Sequence, residues 1–180
     1  MRIISGKFKG RRIRIPKNLP IRPTTNLAKE GILNIISNRM DLDNVKVLDL
    51  FSGSGMIGLE FISRGSDVIF IENNIKCVNH ISKTLDILDI NSKIVKRDVF
   101  KYIMNCNDKY DLVFADPPYS FTIENYIKLI KLITENILNN SDGLFVLEHY
   151  KKNNFSQIDN FFEMRSYGDC SFTFFKQKSG

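Results

Sequence analysis

From residue 45 onward the hydrophobic positions switch repeatedly between a strand-like and a helix-like spacing. Residues 45–51 form a short apolar run ending in Ser52-Gly53-Ser54-Gly55, and residues 56–64 then follow helical spacing up to Gly65. Residues 67–71 read as the next strand, ending at Glu72-Asn73. A helix over residues 75–88 places Val78, Ile81, Leu85 and Leu88 on one stripe. Lys93–Lys96 is a short third strand before Arg97-Asp98-Val99, and residues 110–115 are a fourth that runs into Asp116-Pro117-Pro118-Tyr119. A helix over residues 122–138 lines up Ile123, Tyr126, Ile127, Ile130, Ile133 and Ile137 on one face. Residues 143–148 are a fifth strand whose Phe145, Val146 and Leu147 fit burial on both sides. Phe161–Tyr167 and Cys170–Lys176 flank Gly168-Asp169 as a closing antiparallel pair. The alternation predicts an α/β fold: a mostly parallel sheet of seven strands with an antiparallel C-terminal pair and helices on both faces. Ligands of such sheets bind outside the carboxyl ends of the strands.

The composition agrees with one globular domain, 180 residues with 43% hydrophobic and 26% charged side chains. No apolar run reaches the length of a membrane span, and the N-terminus lacks the apolar core of a secretory signal. Cys77, Cys106 and Cys170 have no metal or redox spacing and read as reduced thiols of a cytosolic protein. His80 and His149 each stand alone, so no metal is expected.

Charge changes the picture more. The net charge is +6, yet residues 1–22 hold Arg2, Lys7, Lys9, Arg11, Arg12, Arg14, Lys17 and Arg22, and the first carboxylate is Glu30. Those eight leave 18 basic against 20 acidic residues elsewhere, so the positive field belongs to an N-terminal appendage on a near-neutral body. The basic residues alternate with Ile3, Phe8, Ile13 and Ile15 around Gly6 and Gly10, which suggests a twisted hairpin with charge on one face. An ordered basic face of that kind suits phosphates, although a solvated charge run is the plainer alternative. The organisation expected is therefore a basic hairpin extension over residues 1–22 and a main domain over residues 23–180.

The expected strand ends carry the candidate chemistry. Gly53-Ser54-Gly55-Met56-Ile57-Gly58 matches G-x-G-x-x-G between a strand and a helix, with Glu72 ending the next strand. Glycines there let backbone approach a ligand closely, and the carboxylate can grip a ribose diol. Asp49, inside the first strand, is awkward beside a pyrophosphate but suits an ammonium or sulfonium ligand. Asp98 can accept from an adenine amine or cap the helix over residues 99–104. Asp116-Pro117-Pro118-Tyr119 is rich in acceptors and poor in donors, because proline has no N–H and the residue before a proline is pushed out of the helical region. Its natural partner is an exocyclic NH2 of a nucleobase, with Tyr119 as a flat face for stacking. A proline turn closing a strand is the competing reading of the tetrapeptide alone.

Taken in order, residues 49–55, Glu72, Asp98 and the tetrapeptide resemble the class I S-adenosylmethionine (SAM) methyltransferases that modify exocyclic amines. Met1-Arg2-Ile3-Ile4-Ser5-Gly6, Lys9-Gly10-Arg11-Arg12, Arg22-Pro23-Thr24-Thr25 and Lys29-Glu30 resemble the RsmD type of bacterial 16S rRNA guanine-N2 methyltransferases. The resemblance covers essentially the whole chain, with two departures: Asn26, where an acidic residue is usual, and Gly31, a poor helix former inside a helix. It implies a Rossmann-like class I sheet with SAM across the strand ends. Asp49, Phe51, Gly53, Ser54, Gly55, Glu72, Asn73, Asp98 and Val99 would surround SAM. Thr24 would cover its carboxylate or cap a helix. Asp116, Pro117, Pro118 and Tyr119 would hold the target base, and Glu148 would stand at the pocket rim or in a salt bridge. Arg2, Lys7, Lys9, Arg11, Arg12, Arg14 and Arg22 would meet RNA. The implied partner is small-subunit rRNA within a partly or fully assembled subunit, bound by a monomer without metal or membrane.

Three other readings remain open. A DNA or RNA adenine-N6 methyltransferase would use the same tetrapeptide, but such enzymes carry a target-recognition region for which 180 residues leave no room. An NAD-dependent oxidoreductase explains the glycine loop and neither Asp49 nor the tetrapeptide. A non-catalytic RNA-binding module explains only the basic arm.

Overall fold

The computed structural model describes residues 1–20, 26–118, 120–139 and 142–177. After an N-terminal arm, the elements are α1 (Asn26–Ser37), β1 (Lys46–Leu50), α2 (Met56–Ser63), β2 (Asp67–Glu72), α3 (Ile75–Ile87) and β3 (Lys93–Lys96). They continue with α4 (Val99–Ile103), β4 (Leu112–Ala115), α5 (Ile123–Asn136), β5 (Leu144–Tyr150), β6 (Phe161–Tyr167) and β7 (Cys170–Lys176). The strands form one sheet in the order β3-β2-β1-β4-β5-β7-β6. β1 to β5 run parallel, and β7 is antiparallel to both β5 and β6. The order reverses between β1 and β4, which puts the crevice of the sheet above those two strands.

Two strands differ from the periodicity by two residues at one end. β4 starts at Leu112 rather than Tyr110, because Tyr110 leaves the ladder to bridge Leu138 and to pair its hydroxyl with that of Tyr102 at 2.9 Å. β5 runs on to Tyr150, since β7 keeps pairing with it as far as Tyr150↔Cys170.

Alternation along the strands sorts side chains into two layers. Val47, Val68, Phe70, Leu112, Phe114, Leu144 and Val146 pack with α1, α2, α3 and the N-terminal arm. Leu48, Ile71, Val113, Phe145 and Leu147 pack on the other face with α4 and α5. Gly31 has a packing reason to be there: a Cβ would lie 2.4 Å from the Tyr167 hydroxyl and 2.6 Å from its ring. The lost helix propensity, about 1 kcal/mol, is what seating the β6–β7 hairpin on α1 requires.

The arm folds back through one antiparallel bridge, Arg2↔Arg12, with Ile3 and Ile13 buried in the first layer. Its backbone is clamped to α2: Lys7 N–H donates to the Ser63 carbonyl at 2.6 Å and Phe8 N–H to Ser63 Oγ at 3.0 Å. Beneath it lies a buried ionic cluster. Glu60, fully buried, accepts from Lys29 Nζ at 3.0 Å, Arg64 Nη1 at 2.7 Å and Ile4 N–H at 3.0 Å. Lys29 also donates to the Arg2 carbonyl at 3.3 Å, so this cluster ties arm, α1 and α2 together.

Candidate functional site

A cleft of about 560 Å³ opens along the carboxyl ends of the strands. It reaches from Asp98 beyond β3 to Glu148 on β5, and five adjacent strand ends at about 4.8 Å spacing make it roughly 19 Å broad. The loop after β1 is built first. Glu72 accepts from Gly53 N–H and from Asn74 N–H, both at 2.7 Å, and so holds the glycine loop to the end of β2. Gly58 lets α2 approach the sheet, since a Cβ there would lie 2.2 Å from the Phe70 ring and 2.8 Å from Asp49 Oδ2. Its N–H donates to that same oxygen at 3.1 Å.

Asp49 is thereby buried at the floor of the cleft. Burial raises its pKa from 3.8 to about 8; the Glu72 carboxylate adds to the rise and the Gly58 hydrogen bond opposes it. It is a carboxyl kept protonated near neutrality, ready to ionise when a cation arrives. Burial, followed by the Glu72 charge, pushes the neighbouring Cys77 thiol up to about 11, which makes it unreactive.

Asp49, Phe51, Gly53, Ser54, Glu72, Asn73, Asp98 and Val99, the residues expected around SAM, all stand on the cleft wall. Gly55 stands behind it, at the start of α2. Asp98 lines the cleft and caps α4, accepting from Lys101 N–H at 3.0 Å, so its capping role leaves it within reach of the cleft. Asp116, Pro117 and Pro118 line the other half. The Pro118 carbonyl accepts from Phe121 N–H at 2.9 Å, which turns the chain back towards α5. Tyr119, Thr24 and Arg22 lie outside the described residues. Arg2, Lys7, Lys9, Arg11, Arg12 and Arg14 are all exposed.

Sequence reasoning misses an aromatic wall. Phe121 meets Phe51 edge-on at 5.4 Å, stacks on Phe100 at 5.8 Å and meets Tyr126 at 5.1 Å. Phe51 holds φ at 56°, a left-handed conformation costing about 1–3 kcal/mol for a residue with a side chain. Tyr126 fits the core stripe of a helix in sequence and reveals no more there. It lines the cleft, and its hydroxyl pKa is pushed up to about 12 by burial, then by the carboxylates of Asp116 and Glu148. His149, also on the wall, is neutral: burial lowers its pKa, Nδ1–H donates to the Tyr150 carbonyl at 2.8 Å, and Nε2 accepts from Thr173 Oγ1 at 2.7 Å. Its position at the end of a predicted strand is the one sequence signal that marks it.

Among the described residues, no cluster of His, Cys, Asp and Glu could hold a metal ion, and no helix is long and apolar enough to cross a membrane. The cleft thus offers a glycine loop held by Glu72 and a buried ionisable carboxyl beside Asp116, Pro117 and Pro118. That combination can bind a cationic nucleoside and set an amine beside it.

Known proteins share the sequence and the fold of this chain. The chain is 34% identical over 148 residues to the ribosomal RNA small subunit methyltransferase D of Buchnera aphidicola subsp. Baizongia pistaciae, covering 81% of this chain and 74% of that protein. A hypothetical protein of Thermus thermophilus superposes with a TM-score of 0.85 at 22% identity, over 97% of this chain and 98% of that one. The Thermus thermophilus 16S rRNA N2 G1207 methyltransferase RsmC, in complex with AdoMet and guanosine, superposes with a TM-score of 0.73 at 16% identity, over 89% of this chain and 45% of that one. Both superpositions concern the fold, that of the class I methyltransferases. The family model described as Conserved hypothetical protein 95 matches residues 1–176. This chain therefore belongs to that family, the RsmD-type methyltransferases.

Proposed function

We propose that this protein transfers the methyl group of SAM to the exocyclic N2 amine of a guanine in small-subunit (16S) rRNA. The observation that carries the reading is one continuous cleft in which the glycine loop held by Glu72 adjoins the acceptors of Asp116 and Pro117. The relatives named as small-subunit rRNA methyltransferases support the substrate class.

The residues present suit SAM. Glu72 has both oxygens oriented by backbone N–H groups and would accept from the ribose hydroxyls. Asp49 would ionise against the methionyl ammonium, and Asp98 would accept from the adenine amine. When bound, SAM supplies an electrophilic methyl on a sulfonium. Asp116 and the Pro117 carbonyl would accept from the two hydrogens of the target amine. This aligns its nitrogen and localises electron density that would otherwise delocalise into the ring. Such positioning contributes on the order of 7–11 kcal/mol in well-oriented reactions. Asp116 or water then takes the proton shed by the methylated amine, so no strong base is required. Tyr119 would stack on the flipped base, a role carried by sequence alone. Residues 1–22 would act as the docking extension for rRNA in a partly or fully assembled subunit, and residues 23–180 as the catalytic domain.

Mapping methylated nucleotides in small-subunit rRNA from cells with and without this gene tests the reading. One guanine should lose its N2 methyl group in the deletion strain. An adenine N6 methyl lost in its place would refute the assignment.

A further inference from the structure

Asp49, Glu72, Asp116 and Glu148 reach the cleft by one geometric rule. Val47, Phe70, Phe114 and Val146 all belong to the layer of α1 to α3. Two residues further along each strand path stand Asp49, Glu72, Asp116 and Glu148, which alternation returns to the same face. The registers set their heights. Leu50 pairs with Ala115 and Ala115 with Leu147, so Asp116 and Glu148 each directly follow the last pair of the β4–β5 ladder, on neighbouring chain paths. Both line the cleft, and both carboxylates raise the pKa of the same Tyr126 phenol. Glu148 is only 9% exposed, on a strand paired on both sides, so its position is firmly held.

We infer that Glu148 accepts the N1–H of the target guanine beside the N2 amine held by Asp116, and thereby selects guanine over adenine. This rests on the guanine-N2 reading above and adds the residue that makes the choice. The argument is one of donor patterns. Guanine presents two adjacent donors on its Watson–Crick edge, N1–H and N2–H2. Adenine presents an amine next to N1, and cytosine an amine next to N3, both ring nitrogens being acceptors. A second carboxylate one strand spacing from Asp116, about 4.8 Å between backbones, matches the donor–donor edge. It faces the lone pair of adenine N1 or cytosine N3 with like charge. The extra methylene of glutamate lets its carboxylate lean along the edge held by Asp116. The contact also helps the chemistry, because an acceptor on N1–H feeds electron density into the ring and onto the exocyclic nitrogen.

The test uses 2-aminopurine, which keeps the N2 amine but has an acceptor at N1. Once the modified guanine is mapped, small-subunit rRNA is ligated with guanine or 2-aminopurine at that position and assembled into subunits. Methyl transfer by the purified full-length protein is then followed by nucleoside analysis. The wild type should prefer guanine by at least about 10³-fold in kcat/KM, since sites built to bind a substrate N–H reject analogues lacking it by larger factors still. Glu148→Gln, whose amide can accept from N1–H or donate to N1, should collapse that preference about 100-fold or more. Its SAM affinity should stay within about twofold of wild type, as Glu148 lies in the base half of the cleft. A wild type that methylates both purines equally overturns the proposal without any variant. So does a folded Glu148→Gln protein that keeps the wild-type ratio. Formation of N2-methylguanine with either of these results leaves the guanine-N2 reading standing and removes only the role of Glu148. N6-methyladenine as the wild-type product removes both.

Discussion

Along the cleft, Asp49, Glu72 and Glu148 stand on hydrogen-bonded strands, and Asp116 and Asp98 stand one and two residues beyond theirs. In the N-terminal arm, seven exposed cations, Lys17 included, stand on a backbone closed by the antiparallel bridge Arg2↔Arg12 and clamped to α2. The two regions carry opposite charge and fix opposite things. At the cleft the side chains themselves are held, partly or fully buried, because a reacting amine tolerates little misplacement. In the arm the backbone is held while the charged tips remain in water. Attraction to phosphates is long-ranged and needs a charge in the right region rather than at a defined point. Buried ionic glue sits under the arm, and buried ionisable chemistry under the cleft.

The largest break in this comparison should come from Asp116→Ala, which is expected to abolish turnover while SAM affinity by calorimetry changes less than about twofold. Wild-type turnover by this variant would remove Asp116 from the amine site. Next comes the glue. Glu60→Leu leaves Lys29 and Arg64 buried without their carboxylate and should lower urea-unfolding stability by about 3–5 kcal/mol. Adding Lys29→Met should recover part of that loss, because removing both charges is far less costly than stranding one. A Glu60→Leu protein as stable as wild type would mean the arm is not held through this cluster.

A smaller effect is expected when the arm loses its tips but keeps its clamp. Replacing Lys9, Arg11, Arg12 and Arg14 with Ala should weaken RNA binding by about 10–100-fold at moderate salt. The log–log salt slope should shrink by roughly 0.7–0.9 for each phosphate that the arm no longer neutralises. Melting temperature and SAM affinity should be unchanged. An unaltered slope would assign RNA docking to another surface.

The smallest effect is graded with pH. Burial raises the Asp49 carboxyl to about 8, so below that value SAM binding through its ammonium must expel a proton. Affinity should therefore climb with pH, by up to about tenfold per unit between roughly pH 6 and 8, and then level off. The ligand-free protein should show the opposite trend. Its folded state holds the proton more tightly than the unfolded chain, so this contribution is complete below about 4 and is lost as pH rises through about 8. Asp49→Asn should flatten both profiles; a variant retaining the wild-type pH dependence would locate the titrating group elsewhere.

Much of this is legible in the chain, because parallel strands with glycine and proline punctuation announce themselves. The alternating pattern of the C-terminal segment marks β6 and β7 to the residue, and the cleft wall around the glycine loop follows from local order along β1 and β2. What stays hidden depends on distant pairs. Tyr110 looks like strand until Leu138 and Tyr102 claim it. Gly31 looks like a flaw until Tyr167 arrives from the far end of the chain. Lys29 and Glu60 are ordinary helix residues in sequence, and nothing local says that they meet in the core under Arg2. Tyr126 fits a core stripe so well that its place on the cleft wall leaves no trace in the periodicity.

The shared face of the four acids also constrains how this chain can vary. A single residue inserted or deleted between Leu144 and Glu148 would reverse the parity of β5 beyond that point and turn Glu148 into the aromatic layer. An insertion of equal size beyond Tyr150, in the connection before β6, leaves every acid where it stands. Length changes are therefore harmless or inactivating according to their position and their evenness, and not according to their size. A homologue with an odd-length change inside β1, β2, β4 or β5 should have lost the reaction, however closely its remaining residues match.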